Sequence, residues 1–440
     1  MDPYDYSVNL PEDALRLADR PDLLEAAERG ANLWCEVAYH RMLCKEEKIH
    51  SYPLPPLPDT LEEWERQRPI LLKHFQDCLY GEIPPPPDRL ELKLLAEKNN
   101  ALDGLAIRRE YRIYCRMNNG RSFDFDMLLY VPKGVERPPV FLRLNYQGNQ
   151  TGPEDDIRPT RAPGDVKDSW HTYGPNPLRH RQGVDWYTAA LQRKYACATV
   201  CYGEIFPDNL DGARKSIYRL FCDDLRPDYE VPLTEVKAGR HRNYGAISAW
   251  AWGYSRMADA LEKIDLVDST KLAVLGGSRL GKTALWAGVN DPRFKLVMPH
   301  NSGCGGAALS RRNFGETLSM LWANRPYWFC DRMVQYAGYE NELPVDQHQL
   351  IALVAPRALA VGSSSFDYTS DPRGEFLSTS HASKIWRLYG FHGLGTDKMP
   401  PENQVIGDQI RYFIKTGKHS MTLYDLEQYF NFADTLFQQK

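Results

Sequence analysis

The chain has 440 residues, a net charge of −4 and 42% hydrophobic residues, with no Lys/Arg block. It is long enough for two or three average domains or one large α/β enzyme, and its charge excludes nucleic acid or an anionic membrane surface as the main partner. Nine cysteines include no CxxC pair, so neither a zinc ribbon nor a disulfide framework is supported. No N-terminal stretch has the succession of a signal peptide, and no apolar run approaches the ~18 residues that span a bilayer. The chain therefore reads as soluble, and as secreted or periplasmic if a signal has been removed.

In chain order, residues 13 to 48 carry Leu, Ala, Val and Met at three- and four-residue spacing, interrupted at Pro21, and predict helices. The linker SYPLPPLPD stops them, because consecutive prolines cannot continue a helix. Residues 1–50 are accordingly expected to be a helical N-terminal extension, and residues 51–440 one catalytic domain. TLEEWERQRPILLKHFQDCLYG predicts an amphipathic helix. After PPPPD, the segments ELKLLAEK, LAIRREYRIYCRM, SFDFDMLLYVP and PPVFLRLNY predict consecutive strands joined by short polar turns. From about residue 185 apolar strands (ACATVCY, KLAVLG, KLVMPH, RALAVG) alternate with helical segments such as AISAWAWGYSRMADALEKI and KTALWAGV. That alternation predicts an α/β fold with a mostly parallel central sheet covered on both faces, preceded by antiparallel N-terminal strands. Residues 150 to 182 lack periodicity and form a long loop of the kind that more often serves function.

The octet GGSRLGKT, residues 276 to 283, fits two machines. Its spacing satisfies the phosphate-loop pattern GxxxxGK[ST]. A nucleotide site also needs a second strand ending in an acid for magnesium; KLVMPHNS ends without one, and Asp367 lies several residues beyond RALAVG. The octet equally reads as strand, Gly-rich turn, exposed Ser278, then helix, the arrangement that presents a nucleophile. There the helix N-terminus favours developing negative charge. The plainer alternative is that Ser278 only caps the helix.

A nucleophilic serine needs a base, and in such folds the chain order is Ser, acid, His. Of eleven histidines, His348, His381, His392 and His419 follow far enough behind Ser278. His348 falls in a predicted helix. His419 stands in a Gly-containing loop just before a terminal amphipathic helix and is the best candidate. Asp367 follows a strand between nucleophile and base and is the candidate acid; Asp371, before Pro372, reads as turn-forming.

AISAWAWGYSRMADALE, GGSRLGKTALWAGVNDPRF, NSGCGGAALSRRNFGET, LPVDQHQLIALVAPR, DPRGEFLS and GKHSMTLYD resemble the glucuronoyl esterases, carbohydrate esterase family 15. The resemblance covers most of residues 58 to 436. It implies an α/β-hydrolase three-layer sandwich and a serine carboxylic ester hydrolase acting on 4-O-methyl-glucuronoyl esters of plant cell-wall glucuronoxylan. It further implies Ser278 as nucleophile, His419 as base, Arg279 as an oxyanion donor, and Lys282 and Glu316 as sugar contacts. No metal or cofactor is implied, and the partner is a uronic-acid-containing polysaccharide or oligosaccharide ester. For Arg279 the plainer alternative is a pair with a surface carboxylate.

Two positions depart from the family pattern. Many members place a catalytic Glu just before SGxGG, where this chain has Asn301; the acid is then Asp367, which matches the family's other acid position, or is absent. A Trp common two residues after that later acid is Thr369 here, with Tyr368 beside it. A methylesterase on another uronate, such as a pectic galacturonic or glucuronic methyl ester, is the alternative activity. An inactive carbohydrate-binding homologue is a further one.

Overall fold

The structure is a computed structural model that describes residues 53–161, 185–223, 225, 236 and 242–437. The expected extension at residues 1–50 lies outside these, as does the part of the 150–182 loop beyond Arg161. Helix α1 (Leu61–Phe75) starts at Thr60, whose hydroxyl accepts the Glu63 N–H, and it turns Trp64, Leu71 and Phe75 into the core. Glu62 and Glu63 occupy its first turn and Lys73 and His74 its last, matching the helix dipole.

Strands β1 (Arg89–Ala101), β2 (Ala106–Arg116) and β3 (Ser122–Pro132) pair antiparallel in succession. β4 (Pro139–Asn145) does not extend this meander. β5 (Ala196–Cys201) pairs antiparallel with β3, and β4 lies beyond it, parallel to both β5 and β6 (Asp268–Gly277). A short polar connection after β3 suggested direct succession, but Val140, Phe141, Leu142 and Leu144 are buried and apolar on both faces of the strand, as suits a place inside the sheet between parallel neighbours. β7 (Phe294–His300), β8 (Ala358–Ser364), β9 (Gln404–Gly407) and β10 (Ile410–Lys415) complete a ten-stranded sheet in the order β1-β2-β3-β5-β4-β6-β7-β8-β10-β9. The block from β5 to β10 is parallel, and β9 closes the edge antiparallel.

Successive side chains of a strand point to opposite faces, and here each face has its own core. Leu272, Val274, Val297, Leu359 and Val361 pack with α2 (Ala246–Leu261), α3 (Arg279–Asn290) and α4 (Pro372–Leu388). Ala273, Leu275, Leu296, Met298, Ala358 and Ala360 pack instead with α5 (Leu423–Phe437) and the helix Trp186–Gln192. The result is the three-layer α/β-hydrolase sandwich.

The junction between β6 and α3 sets the site. The ladder continues to the last strand residues, Gly276 opposite Pro299 and Gly277 opposite His300, and the chain then turns at Ser278 with φ 55° and ψ −130°. A Cβ on Gly276 would meet the Leu280 carbonyl oxygen at 1.9 Å, whereas one on Gly277 would find nothing nearer than Met421 Cε at 3.9 Å. Gly276→Ala is therefore expected to destabilise the protein by about 3 kcal/mol or more, and Gly277→Ala by about 1 or less, in urea unfolding. Equal losses would refute this account of the turn.

Candidate active site

The sequence-predicted residues gather at the carboxyl ends of the parallel strands, the place where open α/β sheets bind ligands. Ser278 follows β6, Asn301 follows β7, Asp367 follows β8 and His419 follows β10. Ser278 sits at the N-cap position, yet its side chain makes no capping hydrogen bond. Its backbone N–H donates to the His300 carbonyl at 2.9 Å, which ties the turn to β7. Its hydroxyl is thus not spent on the helix. The phosphate-loop reading fails on the same geometry: Gly276 and Gly277 are strand residues. Lys282 is buried, donating to the Ser302 carbonyl at 2.7 Å and the Glu316 carboxylate at 2.9 Å, instead of facing an open loop.

Asp367 Oδ2 lies 2.6 Å from His419 Nδ1. That contact makes Nδ1 the protonated nitrogen and leaves Nε2 as the basic one. Burial pushes the Asp367 carboxyl up, but the charge and hydrogen bond of His419 outweigh it and hold the acid below its usual range. For His419, burial acts against the imidazolium, and the Asp367 carboxylate outweighs it, so the pKa stands above the ordinary 6.5. The loop bearing His419 reaches back over the Ser278 turn. Met421 approaches Gly277, and His300 Nε2 stands 3.1 Å from the Ser420 carbonyl. Of the other histidines, His348 lies in the helix Gln347–Ala352 against the Pro55 carbonyl, and His381 lies within α4. Asp371 caps α4 and pairs with Arg312, a structural post.

Arg279 does bond a carboxylate, though a buried one. Its Nη1 donates to Asp208 Oδ2, and its guanidinium lies over the Trp328 ring at 4.8 Å and the Tyr146 ring at 5.7 Å. Asp208 also accepts from Tyr202 Oη at 2.9 Å, Tyr327 Oη at 3.0 Å and Trp328 Nε1 at 2.8 Å. Burial alone would raise the Asp208 carboxyl, but Arg279 and these donors keep it ionised below the ordinary range. Sequence reasoning missed Asp208. Its signal was an acid seven residues past the end of β5, at the same edge of the sheet as the serine.

Glu316 is buried on Lys282, and its backbone N–H donates to the Thr369 carbonyl at 2.9 Å. Thr369 is buried with an unpartnered hydroxyl, and Tyr368 beside it is half-buried. Asn301, at φ 44°, donates through Nδ2 to Ser364 Oγ at 3.0 Å and carries no charge toward His419. The turn after it is held by a second residue that sequence reasoning missed. Glu375, in the first turn of α4, accepts from the Ser302 N–H at 2.7 Å, the Ser302 hydroxyl at 2.9 Å, the Gly303 N–H at 3.0 Å and the Ser363 hydroxyl at 2.6 Å. Burial pushes its carboxyl up to about 7. Among the described residues no cluster of three or more His, Cys, Asp or Glu could hold a metal, and no helix is long and apolar enough to cross a membrane.

A doubly covered, mainly parallel sheet with a serine on its strand-to-helix turn and an acid–histidine pair beyond later strands defines an α/β-hydrolase. The family model "Glucuronyl esterase, fungi" matches residues 238–390. The carbohydrate esterase MZ0003 of an unidentified prokaryote is 34% identical over 88% of this chain and 90% of its own length. The glucuronoyl esterase from Solibacter usitatus superposes with a TM-score of 0.77 at 35% identity, covering 89% of this chain and 100% of that one. The 4-O-methyl-glucuronoyl methylesterase of Hypocrea jecorina is 37% identical over 34% of this chain and 35% of its own length. The chain belongs to the glucuronoyl esterases, carbohydrate esterase family 15, and is a carboxylic ester hydrolase.

Because Asp367, through its charge and its hydrogen bond, is the main group raising His419 against its burial, with a smaller push from Glu316, Asp367→Asn is expected to bring the His419 pKa below 6.5. Histidine-selective NMR titration of the folded variant measures this directly. An unchanged titration would show that Asp367 does not govern the imidazole.

Proposed function

We propose that the protein hydrolyses uronic acid esters, with 4-O-methyl-glucuronoyl esters of glucuronoxylan as the substrate class, through Ser278, His419 and Asp367. The observation that carries this reading is Ser278 itself, held in a strained backbone state with its hydroxyl unused by the helix it caps and a guanidinium at the next residue. His419 Nε2 takes the proton of the Ser278 hydroxyl as the oxygen attacks the C6 ester carbonyl. The new alkoxide is stabilised by the Arg279 charge and by backbone N–H groups at the start of α3. Collapse breaks the ester C–O bond, and His419 returns the proton to the leaving alcohol. Water, deprotonated by the same nitrogen, then attacks the acyl-enzyme and releases the uronate and Ser278. Asp367 holds the imidazole in the required tautomer throughout.

Lys282 and Glu316 are assigned to the hydroxyls of the uronic sugar. The names of the relatives support glucuronate, while Thr369 in place of a stacking ring favours a second reading, a methylesterase on another uronate such as pectic galacturonate. Residues 51–440 are assigned to one catalytic domain, with residues 1–50 as its extension. Support comes from α1 and most of the strands, which share one core between Leu57 and Ile414.

Benzyl and methyl esters of glucuronate and galacturonate, assayed side by side, are expected to show turnover with glucuronate preferred. Ser278→Ala should abolish it and Arg279→Ala should lower kcat by roughly 10² to 10³. Equal alcohol release by wild type and Ser278→Ala on every ester would end the esterase assignment at this site. Only neutral His419 accepts a proton, so kcat/KM should rise with pH along an acid limb centred above 6.5. A limb centred below 6.5 would contradict the assigned base.

A further inference from the structure

Three strands of the site end on one hydroxyl. Lys415, the last residue of β10, is 2% exposed, and its ammonium donates to Ser364 Oγ at 2.7 Å and to the Lys418 carbonyl at 3.0 Å. Ser364 is the last residue of β8, three positions before Asp367, and Lys418 immediately precedes His419. The same Ser364 oxygen accepts Asn301 Nδ2 from the end of β7. Backbone bonds lace the two loops together just beyond: Ser365 N–H to the Lys415 carbonyl and Phe366 N–H to the Gly417 carbonyl, both at 2.9 Å. A lysine is rarely buried at all, and this one is inserted between the segments that carry the acid and the base.

Burial pushes the Lys415 ammonium down, and the carboxylates of Asp425 on α5 and Asp367 oppose that. The other charges about the imidazole are Asp367, Lys282 from α3 and Glu316, while His300 from β7 faces Asp425, Lys415 and His419. Asn301 is neutral and adds nothing to this balance.

We propose that Lys415 is a positioning residue of the esterase reaction: it pins the His419 loop to the end of β8, and its positive charge favours ionised Asp367 and neutral, proton-accepting His419. The inference rests on the roles given above to Ser278, His419 and Asp367. A carboxylate held ionised without full solvation needs compensating charge, and a fixed cation that faces Asp367 and is bonded to the backbone just before His419 supplies it.

The test compares wild type with Lys415→Met, Lys415→Gln and Lys415→Arg, each checked for folding by circular dichroism. His419 is titrated by NMR, and the pH profile of kcat/KM is recorded on benzyl glucuronate. Removing the charge should move the His419 titration and the acid limb upward by about half a pH unit or more in both neutral variants, so that activity falls further at pH 6 than at pH 8. Lys415→Arg should leave both in place. Gln keeps a hydrogen-bond donor and so separates charge from tethering, and it remains a polar choice if Met does not fold. A titration and limb unmoved in the folded neutral variants, with rate lost equally at every pH, would reduce Lys415 to a structural tie and overturn the proposal. If wild type hydrolyses no uronate ester, the functional reading falls, while the NMR titration still decides whether Lys415 tunes His419.

Discussion

Ser278 adopts a backbone conformation that a residue with a Cβ enters only at a cost of roughly 1 to 3 kcal/mol, and the surrounding architecture exists in large part to hold it there. The hold comes from three directions. Gly276 lets the Leu280 carbonyl fold back against the strand, the Ser278 N–H is anchored on β7, and α3 is buried along its length by the sheet beneath it. Relaxing any of these would let the serine return to ordinary capping geometry. The strain therefore converts core packing into the placement of one hydroxyl.

Around that turn the charges are arranged so that none is left alone. Asp208 uses both oxygens on four donors and fixes where the Arg279 guanidinium stands, between two aromatic rings. Glu375 gathers the backbone after β7, and Lys415 ties β8 to β10. Each is costly to bury and each is compensated by hydrogen bonds, so the site's rigidity comes from polar networks set into an apolar frame. The ionisation of His419 answers to Lys282 and Glu316 as well as to Asp367.

Much of this was legible beforehand, for identifiable reasons. Strands and helices after residue 185 were read from alternating apolar runs because a buried parallel strand has few alternatives. Ser278, Asp367 and His419 could be singled out because the chemistry dictates their order along the chain and their places after strands, and the structure does set Asp367 against His419. Other features were not legible. β4 was read as the neighbour of β3, yet β5 lies between them, since strand order depends on which faces remain to be covered and not on loop length. Asp208, Glu375 and Lys415 escaped notice because their importance arises from partners 71, 73 and 51 positions away in the chain.

The amino-acid order alone determined the fold class, the strand-to-helix turn at Ser278 and the family, because local periodicity, glycine placement and motif spacing are properties of short segments. Two choices belonged to the tertiary structure. It distinguished a capping serine from an uncommitted one, since that depends on a backbone angle imposed by packing. It also brought an acid to His419 despite Asn301, since only the parallel register of β8 beside β10 sets Asp367 within 2.6 Å of the ring.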